Sequence, residues 1–154
     1  MLRQAVLAAG MTALVGGAAA AAPFDHMSCK GEPFEVRITV SNVKQNAGLM
    51  TVELFRNDPD GFLNKQGRLF RVRYAAHAPM TQICVNAPGP GLWAAAAYHD
   101  VNANQKFDKN ALGLPAEAWG LSNNPKVRFA PPPVEKSLFD VTAEAGAHVN
   151  IRLN

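Results

Sequence analysis

Residues 92–99 read Leu-Trp-Ala-Ala-Ala-Ala-Tyr-His, and whether they form a helix or a strand decides the fold. Alanine is the strongest helix former and a poor strand former, so composition alone points to a helix. Length and flanks point the other way. Eight residues fall short of the roughly 10–12 at which a helix becomes the better reading. Pro88-Gly89-Pro90-Gly91 precedes the run and an Asp/Asn-rich segment follows from Asp100. Breakers on both sides favour a strand. Its small side chains, on both faces, would let neighbouring layers approach closely.

Working outward, the same period of two recurs. Phe34, Val36, Ile38 and Val40 alternate with Glu35, Arg37, Thr39 and Ser41. Met50, Val52 and Leu54 share one face of Leu49–Phe55, after a turn at Asn46-Ala47-Gly48. Phe70, Val72 and Tyr74 alternate with Arg71 and Arg73, which with Arg68 read as a solvent face. Gln82–Val85, Leu138–Thr142 and His148–Leu153 complete about seven short strands. Turn signals such as Asn57-Asp58-Pro59-Asp60-Gly61 separate them. This spacing predicts an all-β domain, a single antiparallel β-sandwich of immunoglobulin-like or prealbumin-like kind with one long polar loop.

The chain has 154 residues, 15 basic and 12 acidic, for a net charge of +3. Residues 1–22 differ from the rest: Arg3 opens them, an apolar run follows, and Gly16-Gly17 and Ala18–Ala22 close them. That is the layout of a secretory signal peptide. The domain reading is therefore a cleaved signal peptide at 1–22, an N-terminal extension at 23–33 and the β-domain at 34–154. The expected compartment is the periplasm or the exterior. The mature chain has no second apolar run long enough to span a bilayer. It also lacks a Lys/Arg cluster, so nucleic acid is not an expected partner. In an oxidising compartment Cys29 and Cys84 are expected to pair, the alternative being two buried free thiols.

The segment Asp100–Asn124 carries the candidate chemistry. Asp100, Asn102, Asn104 and Asp108 occupy relative positions 1, 3, 5 and 9 of a tight loop, the spacing at which alternate oxygen-bearing side chains point at one Ca²⁺. Lys106, at position 7, would offer its backbone carbonyl, and Glu117 is the candidate distant carboxylate. Gln105 stands where an EF-hand has Gly and Ala111 where it has the closing Glu, so an EF-hand is excluded. Two readings stay open: a Ca²⁺ loop of another type, or an Asx-rich turn in which Asp and Asn cap their own backbone.

The same residues carry a resemblance. His99-Asp100-x-Asn102-x-Asn104, then Asp108, Gly113-Leu114-Pro115-x-Glu117 and Gly120-Leu121-Ser122-Asn123-Asn124 resemble the bacterial domain of unknown function 2141 family. The Pro/Gly turn before Trp93 and Pro131-Pro132 fit the same pattern. The likeness spans residues 34–154 and is densest at 89–133. Ala103 and Gln105 stand where that family often has Gly, and Arg128-Phe129-Ala130 lacks its usual Gly. The resemblance implies an exported β-rich protein and no assigned reaction.

Three functional classes follow. The first is a binding or accessory module, its partner an envelope protein or a saccharide, with His99, Trp119, Ser122, Asn123 and Asn124 around the loop. The second is a hydrolase-type enzyme in which His99, Asp100 and Glu117 converge. The third is a structural or adhesion domain. Ser122 lies in no G-x-S-x-G turn, and there is no phosphate-binding glycine loop.

Overall fold

The structure, a computed structural model, describes residues 29–128 and 130–154. The expected signal peptide and residues 23–28 of the extension lie outside the described residues. The strands are β1 (Glu35–Ser41), β2 (Leu49–Arg56), β3 (Arg68–Ala75), β4 (Met80–Asn86), β5 (Gly91–Asp100), β6 (Trp119–Leu121), β7 (Leu138–Val141) and β8 (Ala147–Arg152). The alanine run is the long strand β5.

Two sheets pack face to face. One has the order β4-β1-β8; in the other β2 lies between β3 and β5, and β5 pairs further with β6 and β7. Alternation puts Val36, Ile38 and Val40 of β1 on the buried side, with Ile83, Val85, Val149 and Ile151 beside them. Opposite them stand Met50, Val52 and Leu54, and Ala95 and Ala97 of β5. Burying this many aliphatic side chains, at about 1.5–3 kcal/mol each, is the main term holding the sheets together.

Three features differ from the sequence expectation. The sandwich is not wholly antiparallel: β1 and β8 run parallel. Parallel neighbours need a long crossover, and residues 42–146 lie between these two. The first two strands lie in opposite sheets, whereas the immunoglobulin arrangement places them side by side. Finally, β6 adds an eighth strand.

The second sheet is buried on both faces. Ala94 and Ala96 point away from the sandwich core into a smaller cluster with Phe55, Phe62, Leu121 and Val134. The four alanines of β5 are thus covered on both sides, and their small size is what admits two close layers. Further along this outer face, Arg68 and Arg71 form ion pairs with Glu53 and are half-buried rather than solvent-facing. Arg71 also lies over the Tyr98 ring, 6.0 Å from its centroid. Cys29 and Cys84 form a disulfide that staples the N-terminal segment to β4. Among the described residues no helix is long and apolar enough to cross a membrane.

Candidate functional site

β5 ends on Asp100, which is fully buried. Its carboxylate accepts the Asn104 N–H at 3.1 Å and the Gln105 N–H at 2.7 Å, so it closes the loop that follows. Asn102 Oδ1 accepts the Asn104 N–H at 3.0 Å, and Asn104 Oδ1 accepts the Lys106 N–H at 2.8 Å. Successive Asx turns of this kind curl the chain around one point. Asp108 sits across the curl, accepting the side-chain amides of Asn102 at 2.9 Å and Asn104 at 2.7 Å. The backbone needs left-handed conformations to do this: Ala103 has φ 55° and Gln105 has φ 64°. These are two of the positions where the sequence lacks Gly. Gly48, at φ 69°, passes beneath the loop's start, where a Cβ would stand 2.0 Å from the Asp100 carbonyl oxygen.

Aromatic contacts and one arginine fix the loop to the sheet. Phe107 packs edge-on against Tyr98 at 5.1 Å and Trp119 at 6.5 Å between ring centroids. Arg73 donates to the Gln105 carbonyl at 3.1 Å. Beyond Asp108 a hairpin turns back, with Lys109 bridged to Pro115 and Asn110 Oδ1 accepting the N–H groups of Leu112 and Leu114. The tip exposes Leu112 and Leu114, by 83% and 55%. The returning segment brings in Glu117, whose Oε2 accepts the Asp108 N–H at 3.3 Å. Burial pushes its carboxyl up to about 7; the Asp108 N–H opposes this, and the charges of Asp100 and Asp108 add to it.

Glu117 Oε1 is buried without a protein partner. Thr51 Oγ1, Arg73 Nε and the Tyr98 hydroxyl share that condition. Thr51 stands in register between Arg73 and Tyr98, so the three form a row across the outer face under the loop. Buried polar groups of this kind call for a further partner. Sequence reasoning missed Thr51, Arg73 and Tyr98 as parts of the site, because only strand register puts them there, and Phe107, whose role rests on ring packing against β5 and β6.

Of the expected metal ligands, Asp100, Asn102, Asn104, Asp108 and Glu117 meet around this loop. Lys106 is exposed. The three carboxylates are spread wider than a closed site. Among the described residues, the trio of His, Cys, Asp or Glu ligand atoms within 4.8 Å of one another is Cys29, Cys84 and Glu35, and its sulfurs are joined in the disulfide.

His99 is not brought together with Asp100 and Glu117. It lies on the core face of β5 opposite Met50, 98% buried, with Nε2 2.6 Å from the Ala47 carbonyl oxygen. Ser122, Asn123 and Asn124 are turned to structure. Ser122 Oγ accepts the Ala95 N–H and donates to the Ser137 carbonyl. Asn123 donates to the Leu138 carbonyl, and Asn124 bridges the Asn150 carbonyl and the Arg152 N–H. Trp119 is half-buried against Phe107, and Trp93 is a core residue whose Nε1 donates to the Gly89 carbonyl at 3.2 Å.

Fold and site together define a class: a two-sheet β-sandwich carrying a carboxylate-bearing loop on the outer face of one sheet. Within that class the chain belongs to the family described as "uncharacterized protein conserved in bacteria (DUF2141)", which matches residues 38–149. No curated protein and no solved structure shows a significant match to it.

Proposed function

We propose that the protein is an exported binding or accessory module whose recognition surface is the loop and hairpin from Asp100 to Glu117, ordered by Ca²⁺. The observation that carries this reading is Glu117. Its carboxyl lies near those of Asp100 and Asp108, it is pushed up to about 7, and its Oε1 is buried without a partner. Three carboxylates in one partly buried place repel one another, and a divalent cation offsets that repulsion while taking the free oxygen. Binding requires the loop to tighten and the Asn102 and Asn104 amides to turn their oxygens inward. The exposed Leu112 and Leu114 on a rigid scaffold support recognition of a partner, an envelope protein or a saccharide. The signal-peptide pattern of residues 1–22 and the disulfide support export to the periplasm or beyond.

A second reading is favoured by one observation. The Asn102 and Asn104 amides already donate to Asp108, which describes a self-capped structural loop. A thermal melt in Ca²⁺ against one in chelator separates the two. Ca²⁺ at 100 times its Kd adds about 2.7 kcal/mol of stability. The expected result is a higher midpoint in Ca²⁺ that Glu117→Gln and Asp108→Asn reduce. An unchanged midpoint leaves the structural loop as the answer. The hydrolase reading lacks support, since His99 lies on the core face.

A further inference from the structure

A second concave feature lies away from the loop, between the segment after β6 and the end of β8. It is an open cleft of about 410 Å³, within the roughly 300–1,000 Å³ range of small-molecule sites. Lys126, Arg128 and Arg152 line it, and no carboxylate side chain does. Among the described residues the ion pairs are those of Glu35 and Glu53, so none of these three cations has a carboxylate side chain as a partner there. Three like charges around one hollow repel one another, and no Asp or Glu side chain lines it to offset them.

The rim of the cleft is tied down at two points. Asn124 takes a left-handed conformation, φ 49°, and its side chain ties the 122–128 segment to β8 through the Asn150 carbonyl and the Arg152 N–H. The Asn154 N–H donates to the Trp119 carbonyl at 3.0 Å, closing the far side against β6. Arg152 therefore projects from anchored backbone, and the segment carrying Lys126 and Arg128 leaves from the anchored Asn124, which reduces the ordering cost of binding.

We propose that this cleft binds a phosphoryl group, carried either by a small phosphate ester or by a lipid headgroup. Two guanidinium forks and one ammonium match the oxygens of a tetrahedral dianion, with the forks able to bind bidentately. The three cations fit one compact anion better than a polyanion track, because they converge on one hollow. The inference is independent of Ca²⁺ in the Asp100–Glu117 loop.

The test is a titration of the ¹⁵N-labelled protein with inorganic phosphate, followed by amide shifts. The expected result is a saturable shift confined to Asn124, Lys126–Arg128 and Arg152, weakened by salt. Arg152→Gln and Lys126→Gln should each weaken binding about three- to tenfold, with folding unchanged because both side chains are exposed. Co-sedimentation with vesicles containing phosphatidylglycerol distinguishes the sources. Vesicle binding lost in the same variants identifies a headgroup site, and phosphate binding without sedimentation identifies a small phosphate ester. A shift that never saturates, or one equal in the variants, overturns the proposal.

Discussion

Glu117 ties the site to pH. A carboxyl whose pKa is raised on folding binds its proton more tightly in the folded chain, so its stabilisation is full below the unfolded value and fades as the pH rises. The window here runs from 4.5 to about 7. Glu35 acts in the opposite sense: Arg37 and the N–H groups of Lys30 and Gly31 hold its carboxylate below the usual range, so its contribution is lost only on acidification below that window. In chelator, the melting midpoint should therefore fall between pH 4.5 and 7, and Glu117→Gln should flatten the fall. A flat profile in the parent protein would refute this. Ala103 and Gln105 give a second residue-scale test. Their left-handed φ values cost each about 1 kcal/mol relative to Gly. Ala103→Gly and Gln105→Gly should each raise the unfolding free energy read from denaturant melts by about that amount. That Asp100, Asn102, Asn104 and Asp108 gather in one loop was legible in sequence because it is local. The row of Thr51, Arg73 and Tyr98 beneath it was not, because it exists only through the register of three strands.

At the scale of elements, β5 was readable from its flanks and β1 and β2 from their alternation, since both signals lie within a few residues. β6 was not. Three residues, Trp119-Gly120-Leu121, are too few to show a period, and their strand geometry is imposed by pairing with Tyr98, Ala97 and Ala96. Gly120 shows how tightly that seam is built. A Cβ there would stand 2.4 Å from the Arg152 carbonyl oxygen and 2.8 Å from Ile151 Cγ2. The carbonyl belongs to the end of β8 and cannot turn aside. Gly120→Ala should thus destabilise by about 1–3 kcal/mol, as overpacking does. Amide exchange should accelerate first along β6 and the end of β8. Gly89 serves as the control: a Cβ there meets nothing within 4 Å. Gly89→Ala should stay within about 0.5 kcal/mol of the parent. Equal effects at the two positions would mean that the seam is looser than its geometry implies.

For the whole molecule, the all-β class followed from strand count and turn spacing, but the order of strands did not. β1 pairs with β4 and β8, which are far from it in sequence, and no local pattern announces such partners. One long-range link was nonetheless legible, because only two cysteines exist to make it. The Cys29–Cys84 disulfide joins the start of the described chain to β4, the neighbour of β1. Closing a loop with a sequence separation of 55 residues restricts the unfolded chain and stabilises the fold by roughly 4 kcal/mol in the chain-entropy picture. Glu35 is positioned by the same staple, since it accepts the N–H groups of Lys30 and Gly31 just beyond Cys29. Replacing both cysteines by serine should therefore lower the midpoint substantially while leaving the sheet spectrum of the cold protein intact. The same treatment should free Glu35 to titrate nearer its ordinary value, because its two backbone donors are no longer held in place. A double variant as stable as the parent, with Glu35 unchanged, would show that packing of the two sheets alone orders the N-terminal segment.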